Sequence, residues 1–555
     1  QQPHTMRASL LSATLIISAL QLNAQEDMTQ VWTTRLEHKI EYTGTDPNPG
    51  EDNISYAASD KEMTVFRNKD GSTVWLKAFK DIAPRLRKID ELIPFWESNT
   101  VFLFEKKGGK DVVACIDLPT GNALWTTEKY SNLTDENVIY LKEKDMFAIS
   151  TNDGLTMIKA RTGEELWSTM AFTGAVGKYI IDGDDMVCVN FVPGGLAALF
   201  KGFKNQLARI DLKTGKLKWE ATYVGRAERK VVTRDFVYDL KLEGNKLFLM
   251  LNGIQVYDYV TGAQQWSAAF DFTPEGITGA PAHAKKFGVY GALAQPVVDG
   301  NDLYVLDMGN RKSQYVKKYD RMTGKLLWTS PEIKEARAIP GMWVADGKVI
   351  LQVGGLVETQ AYIYWRETQS DGSVVTHEEW RVQYKNIKPC GVQAFNTSDG
   401  ALAWDSERFK KGITNAFIED GRFYICSGKA LYCIDHKTGA DIYEVPLGDD
   451  GVGNANAIFA FTDMVGIVGE KGVAMHRRTD GSLSKSNKWK VADIESRHDR
   501  MLLMKTEGSD IAAFDLNNCA YKQFNARKGA VSTLSYDGAY VYVYEKKDVT
   551  KLRTN

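Results

Sequence analysis

The segment Arg209-Ile-Asp-Leu-Lys-Thr-Gly-Lys-Leu-Lys-Trp219 contains the pattern that decides the fold of this chain. Similar segments run from Ala114 to Trp125 and from Lys318 to Trp328, related copies end at Trp75, Trp167, Trp266 and Trp404, and a weakened copy ends at Tyr443. The nine turn glycines are Gly71, Gly121, Gly163, Gly215, Gly262, Gly324, Gly400, Gly439 and Gly481. Seven of these nine glycines have a tryptophan four residues later, and self-similarity of this kind identifies a repeat protein.

Each part of the repeated segment has a physical role. The apolar runs on either side of the glycine predict two antiparallel strands joined by a tight turn. The aspartate four residues before the glycine, such as Asp211, can accept hydrogen bonds from turn amides, and Gly215 supplies the positive φ. We expect the tryptophan to pack on the neighbouring unit while its N–H donates to a backbone carbonyl.

Two further strand-like runs precede each turn, often joined by Asp-Gly or Gly-Asn. Examples are 297–305, 417–425 and 534–543. Four short antiparallel strands per repeat are typical of a propeller blade. The sequence therefore predicts an all-β fold that consists of a single large β-propeller.

The number of blades follows from the glycines and from the two ends of the chain. Successive glycines are 39 to 76 residues apart, and a degenerate tenth copy occupies 513–519. The lone N-terminal strand around Gln30 to Leu36 has Trp32 at the docking position, and three strand-like runs end at Leu552. We predict that this strand completes the last blade and closes a ring of about eleven blades. Two smaller propellers are the alternative.

The first residues have the features of a secretory signal peptide. Arg7 precedes an apolar run from Leu10 to Leu22, and the small residue Ala24 follows. We expect cleavage after Ala24, which gives a signal peptide at 1–24 and a propeller domain at 25–555; an uncleaved membrane anchor is the alternative. No cysteine precedes Cys115, so we expect an exported, soluble, non-lipidated protein in the periplasm or outside the cell.

Charge and cysteine content exclude several function classes. The chain has 69 basic and 71 acidic residues, which does not fit a nucleic-acid-binding surface. The six cysteines form no adjacent pair and no Cys-x-x-Cys motif, and Cys426 and Cys433 are either bonded across a hairpin or free. The seven histidines show no metal-ligand spacing, so we assign no catalytic or metal-binding residue.

The Ala/Ile-x-Asp-x-x-Thr-Gly-x-x-x-Trp unit resembles the pyrroloquinoline-quinone-like propeller repeat, over nearly all of the chain after residue 24. One branch of that family contains quinoprotein dehydrogenases; the other is non-enzymatic, like the propeller lipoprotein of the outer-membrane barrel-assembly machinery. The resemblance to dehydrogenases would imply a vicinal cysteine pair, calcium and an aspartate base, and the chain has no vicinal pair. We therefore expect the non-enzymatic branch without a cofactor, with pyrroloquinoline quinone and calcium as the alternative. The blade-docking residues are Trp32, Trp75, Trp125, Trp167, Trp219, Trp266, Trp328 and Trp404.

Departures from the repeat are the candidate contact regions, because insertions in repeat proteins fall in loops. The longest interval predicts a hairpin insertion around 357–390, and its aromatic and arginine residues are typical of protein contacts. These residues are Tyr364, Trp365, Arg366, Trp380, Arg381 and Tyr384. The alternative is that the hairpin lengthens a blade and its aromatic residues pair across strands.

Two more departures are an apolar stretch at 192–203 and a Gly-rich stretch at 276–296. Leu199, Phe200 and Phe203 of the first would contact a partner or fill a gap in the scaffold. The second would cover one face of the propeller. We predict an exported protein-binding scaffold; the alternatives are a quinone-dependent dehydrogenase and a small-ligand or carbohydrate binder that uses the central funnel.

Overall fold

A computed structural model describes residues 26–50, 52–191, 204–224, 239–251, 253–269, 287–289, 293–310, 313–333, 336–368, 374–406, 409–491 and 493–555, with 287–289, 308–310, 313 and 358–385 described by their backbone only. These residues form eleven antiparallel sheets of four strands, two of which gain a fifth strand. The sheets are the blades of one ring. We name the strands of each blade A to D, in chain order for blades 1 to 10.

The strand bounds of the first six blades are as follows. Blades 1 to 3 comprise Tyr42–Thr45, Ile54–Ala58, Glu62–Arg67 and Thr73–Ala78; Glu91–Phe95, Thr100–Glu105, Val112–Asp117 and Asn122–Thr127; and Val138–Leu141, Met146–Thr151, Gly154–Lys159 and Glu165–Thr169. Blades 4 to 6 comprise Ala175–Asp182, Asp185–Phe191, Gln206–Asp211 and Leu217–Thr222; Asp239–Glu243, Lys246–Met250, Gly253–Asp258 and Gln264–Ala269; and Val297–Asp299, Asp302–Asn310, Ser313–Asp320 and Leu326–Thr329.

The remaining five blades complete the ring. Blades 7 to 9 comprise Gly341–Ala345, Lys348–Thr368, Val374–Asn396 and Leu402–Asp405; Phe417–Glu419, Arg422–Ser427, Ala430–Asp435 and Asp441–Pro446; and Ala455–Ala460, Met464–Gly469, Gly472–Arg477 and Leu483–Lys488. Blade 10 comprises Asp493–His498, Met501–Lys505, Ile511–Asp515 and Ala520–Phe524, and blade 11 comprises Val531–Leu534, Tyr540–Glu545, Asp548–Arg553 and, as strand D, Thr29–Arg35. The helices described are the short α-helix Phe79–Ile82 and the 3₁₀ turns Asp135–Asn137 and Lys142–Lys144.

The N-terminal strand closes the ring. Thr29–Arg35 pairs antiparallel with Asp548–Arg553 of blade 11, which places Trp32 opposite Lys551. The short strand Glu26–Asp27 continues onto blade 10 and pairs parallel with its strand D. The predicted eleven-blade ring with this closure is confirmed, and the alternative of two smaller propellers is wrong.

The hydrophobic core is divided among the junctions between blades. The buried apolar residues form eleven clusters, and each cluster joins two adjacent blades. Because both faces of a blade are covered, strands such as Thr100–Glu105 and Val112–Asp117 are buried along their whole length. At the closing junction, Trp32 and Tyr542 of blade 11 pack with Phe66 of blade 1.

The turn glycine of each repeat is the seat for the tryptophan of the preceding blade. A Cβ atom on Gly215 would lie 2.5 Å from Cε3 of Trp167, and the Trp167 indole N–H donates to the Leu212 carbonyl at 2.6 Å. Gly215 itself has φ of +69°, held by a bond of 2.8 Å from its N–H to the Asp211 carbonyl. The tryptophans packed on the turn glycine of the next blade are Trp32, Trp75, Trp125, Trp167, Trp219, Trp266, Trp328 and Trp404. All of them except Trp266 also donate the indole N–H to a backbone carbonyl of a described residue.

The degenerate repeats keep this docking with other residues. Tyr443 replaces tryptophan, packs against Gly481, and its hydroxyl donates to the Arg478 carbonyl at 3.2 Å. Cys519 replaces the glycine of blade 10 and adopts the same left-handed conformation, with φ of 53°.

All six cysteines are buried and free. In blade 8 the register places Cys426 opposite Leu431 and Cys433 opposite Tyr424. The two cysteines are therefore offset along the hairpin and are not bonded.

Candidate functional site

The four-stranded blades give the ring two distinct faces. Strands A of neighbouring blades contact each other, for example Ala175–Asp182 and Asp239–Glu243, so strands A lie at the centre of the ring. Since successive strands are antiparallel, all A–B and C–D connections lie on one face, which we call the turn face. All B–C and D–A connections lie on the opposite face, which we call the loop face.

The long departures from the repeat all begin and end at the loop face. On the turn face the longest connection is the eight residues between Thr45 and Ile54. On the loop face the strands of blades 4 to 7 are joined by connections at 192–205, 223–238 and 270–296, and by a long hairpin in blade 7. Connections of this length on one face mark that face as the candidate site.

Part of the predicted contact region lies outside the described residues. Leu199, Phe200 and Phe203 belong to that part, as do residues 276–286 of the Gly-rich stretch. Strand B of blade 4 ends at Phe191 and strand C begins at Gln206. Both of these strand ends lie on the loop face.

The blade 7 hairpin is the most prominent described feature of the loop face. Its strands B and C pair continuously from Gly355 opposite Ile387 out to Thr368 opposite Val374. An extended strand rises about 3.3 Å per residue, so the hairpin projects roughly 45 Å beyond the blade. The strand Phe287–Val289 adds a third member, since it pairs with Thr359–Ala361. The Gly-rich departure therefore meets the hairpin, a pairing that no sequence pattern indicated.

The register sorts the candidate residues of the hairpin into two sets. Directly opposite residues share a face of the ladder, and faces alternate along each strand. The pairs Tyr364–Glu378, Tyr362–Trp380, Arg366–Thr376 and Glu358–Tyr384 share one face. Trp365 and Arg381, in the pairs Trp365–His377 and Ala361–Arg381, belong to the other. The side chains themselves lie outside the described part of the structure.

The base of the hairpin is fixed to the connection between blades 7 and 8. The Leu356 N–H donates to the Ile413 carbonyl at 2.9 Å, and Asn386 Nδ2 donates to the same carbonyl at 3.0 Å. Gly355 has φ of +95°, and a Cβ atom there would lie 2.3 Å from Cγ1 of Ile413. The buried Gln352 adds a bond of 3.1 Å to the Thr414 carbonyl. The hairpin therefore leaves the blade from a close-packed base.

A polar cavity of about 670 Å³ lies beside this base, between blades 7, 8 and 9. Asn386 lines it together with the exposed lysines Lys411 and Lys429. Across the cavity, Glu470 accepts a hydrogen bond of 3.2 Å from Asn454. The cavity presents charged and amide groups, which suit contacts with polar groups of a partner.

The described side chains do not form a recognisable catalytic centre. No group of three or more His, Cys, Asp or Glu residues that could hold a metal ion occurs in the described ranges. Burial raises the pKa of the cysteine thiols, for Cys519 to about 11, so they are poor nucleophiles. The buried His476 is held by the Gly481 carbonyl at 2.9 Å and by Asp450 at 3.1 Å.

The quinone and calcium that the dehydrogenase resemblance implies do not fit these residues. The sequence has no vicinal cysteine pair, and the described residues contain no group of three or more His, Cys, Asp or Glu side chains that could hold calcium. We derive no chemical step through a quinone. Among the described residues, no helix has the length and apolar character needed to span a bilayer.

The Asp-x-x-Thr-Gly turns with their seated tryptophans resemble the repeat of the pyrroloquinoline-quinone-like β-propellers. Residues 109–350, slightly less than half of the chain, match the family model described as outer membrane protein assembly factor BamB. Over these residues the chain is similar to that family. No curated protein matches the chain significantly.

The solved structures that the chain resembles share little sequence identity with it. BamB from Moraxella catarrhalis is 15% identical, with 80% of this chain and 97% of that chain covered and a TM-score of 0.31. A europium-containing methanol dehydrogenase is 12% identical, with 79% and 84% covered and a TM-score of 0.28. The computationally designed Ika8 protein is 13% identical, with 71% and 100% covered and a TM-score of 0.33.

Proposed function

We propose that this protein is an exported, non-enzymatic scaffold that binds a protein partner on its loop face, with the blade 7 hairpin as the main contact element. The observation that carries the proposal is the hairpin itself, which projects far beyond the ring from a fixed base. A ribbon that projects this far beyond the blade adds little to the core of that blade, so a contact role is the better explanation of the hairpin.

The composition of the hairpin and the family support the same function. Tyr364, Trp365, Trp380 and Tyr384 are of the aromatic type that is enriched at interface centres, and arginines accompany them. The description of the matching family names an outer-membrane assembly factor, which favours a protein-binding role in the cell envelope.

A shortened hairpin tests the proposal. Val357 and Lys385 are opposite partners, so residues 358–384 can be replaced by Asn-Gly, which closes a two-residue turn. We expect the shortened protein to keep the circular dichroism and thermal midpoint of the wild type. Cross-linking of the wild type to envelope proteins from its own cells should capture a specific protein. That protein should bind the purified shortened variant at least tenfold more weakly than it binds the purified wild type.

Point variants locate the contact surface within the hairpin. Trp380→Ala and Trp365→Ala alter opposite faces of the ladder, so only one of them should strongly weaken binding of the partner. Lys213→Ala, which removes an exposed cation from the turn face, is the matched control and should bind normally. If the folded shortened variant binds every partner as well as the wild type does, the hairpin is not the contact element.

Cofactor reconstitution separates the scaffold from the enzymatic alternative. Purified protein is incubated with pyrroloquinoline quinone and calcium, and dye-linked oxidation of alcohols is measured. We expect neither a quinone absorption spectrum nor oxidation above the rate without protein. Turnover that depends on both additions would overturn the scaffold proposal.

The proposed export is tested at the N-terminus of the protein recovered from its cells. Cleavage after Ala24 would give a chain that begins at Gln25. The first described strand begins at Glu26, so this cleavage preserves every described element of the ring. Intact mass and N-terminal sequencing of protein from the soluble periplasmic or extracellular fraction should report that mature chain.

A further inference from the structure

Three blades place a cationic side chain on strand C directly opposite the docking tryptophan. The pairs are Arg209–Trp219 in blade 4, Lys318–Trp328 in blade 6 and Lys551–Trp32 in blade 11. In each blade the cation donates to the same backbone carbonyl that accepts the indole N–H, at 3.1, 3.1 and 2.8 Å respectively. The three cations therefore occupy equivalent positions between blades.

In blades 4 and 6 the cation is neutralised by a carboxylate. Arg209 Nε donates to Asp185 Oδ2 at 2.8 Å, and Lys318 Nζ lies 2.6 Å from Asp302 Oδ2. Both aspartates are the first residue of strand B, beside the A–B turn. Pairing is expected here, because a buried charge without a counter-charge is strongly destabilising.

Blade 11 has the cation without the carboxylate. The first residue of its strand B is Tyr540, in the register that Asp185 and Asp302 hold in their blades. Lys551 is only 8% exposed, and its Nζ lies 3.9 Å from the centroid of the Tyr540 ring. Within the described ranges Lys551 forms no ion pair, and its one hydrogen-bond acceptor is a backbone carbonyl. Burial lowers the pKa of the Lys551 ammonium, and Asp537 offsets this only in part.

A pocket of about 590 Å³ opens at this position, on the turn face where blade 11 meets blade 1. Tyr536, Tyr540 and Tyr542 line it with Lys551, and Asp46 and Asn53 come from blade 1. Tyr536 is 43% exposed, so its ring is accessible to a ligand in the pocket. The volume lies within the range of small-ligand sites, about 300–1,000 Å³.

We call this pocket between blades 11 and 1 the seam pocket. We propose that it binds a carboxylate carried on a flat apolar group, with the carboxylate on Lys551 Nζ and the flat group among Tyr536, Tyr540 and Tyr542. The ligand carboxylate takes the place that Asp185 and Asp302 fill in their own blades. A monoanion fits better than a phosphate dianion, because Asp46 and Asp537 balance the positive charges of Lys69 and Lys551 in the lining. This site is independent of the proposed partner on the loop face.

The probe is 4-fluorobenzoate, whose binding to the full chain is followed by fluorine NMR. We expect the wild type to bind it and Lys551→Met to bind at least tenfold more weakly. Lys318→Met is the matched control, since it removes the equivalent lysine where a carboxylate is already present, and it should bind like the wild type. The neutral probe 4-fluorobenzamide should not bind. Equal binding to the wild type and to folded Lys551→Met, or no binding to the wild type, would overturn the proposal.

A second variant guards against loss of folding in Lys551→Met. Tyr540→Asp installs the aspartate that blades 4 and 6 carry, so it should raise the thermal midpoint and abolish binding of 4-fluorobenzoate. Unchanged probe binding by folded Tyr540→Asp would contradict the assignment. An acetylated dipeptide that ends in a phenylalanine carboxylate distinguishes the two sources of the group: tighter binding than that of 4-fluorobenzoate assigns a peptide C-terminus, and weaker binding assigns a free small acid.

Discussion

Gly215 and Gly183 are two turn glycines of blade 4 that share a backbone conformation and differ in what lies above them. Gly215 has φ of +69°, and a Cβ atom there would lie 2.5 Å from the indole of Trp167. Gly183 has φ of +59°, and a Cβ atom there would meet no heavy atom within 4 Å. Alanine at the two positions therefore separates the cost of the left-handed conformation from the cost of displacing the docked tryptophan.

The expected magnitudes follow from these two contributions. A non-glycine residue in the left-handed region costs about 1–2 kcal/mol, which applies to both variants. Overpacking a close contact adds about 1–3 kcal/mol, which applies to Gly215→Ala alone. We expect Gly183→Ala to lower the free energy of unfolding by about 1 kcal/mol. We expect Gly215→Ala to lower it by about 2–5 kcal/mol.

The assay is urea unfolding at 25 °C, followed by circular dichroism, with the slope of the transition compared among variants. Trp167→Leu completes a double-mutant cycle, and in that background Gly215→Ala should cost only about 1 kcal/mol. If Gly215→Ala and Gly183→Ala cost the same within about 0.5 kcal/mol, the tryptophan is not seated on the glycine and the account of blade docking fails.

Three further predictions concern the turns and the core. Tyr443→Phe removes the donor to the Arg478 carbonyl and should lower the free energy of unfolding by about 1 kcal/mol in the same urea assay. Hydrogen bonds from Thr214 lower the pKa of Asp211, so its contribution to stability is present above the unfolded pKa of about 4 and is lost as the pH falls through the folded value. The urea midpoint should therefore fall on acidification below pH 4, less steeply in Asp211→Asn. Burial of the six thiols predicts that iodoacetamide at pH 8 labels none of them in the native protein and all of them in urea.

The fold was predictable because the residues that make the repeat recognisable are the same residues that pack one blade on the next. Each turn glycine followed by an aromatic residue specifies both a hairpin and its contact with the next blade, as Gly215 and Trp219 do. The closing strand was predictable for the same reason, since Trp32 is a docking residue without a preceding repeat. The number of blades followed from counting these units.

The candidate sites were less predictable because they depend on contacts between distant segments. Phe287–Val289 joins the blade 7 hairpin across about 70 residues of chain, and neither segment has a spacing that indicates its partner. The seam pocket combines residues near Thr45 with residues near Tyr540, which are neighbours only in a closed ring. Alignment of the repeats by strand position would have revealed Lys551 beside Arg209 and Lys318, with Tyr540 in place of an aspartate.

The two faces of the ring differ for a reason that follows from the docking geometry. The C–D turns of blades 1 to 8 contain the glycine that seats the tryptophan of the preceding blade, so a longer turn there would displace an interblade contact. The B–C and D–A connections carry no such seat, and extensions such as the blade 7 hairpin leave the junction clusters intact. Longer connections between strands are therefore tolerated on the loop face, whereas the length of the C–D turns on the turn face is restricted. The junction between blades 11 and 1 is free of this restriction, because strands C and D of blade 11, Asp548–Arg553 and Thr29–Arg35, are paired without a turn between them.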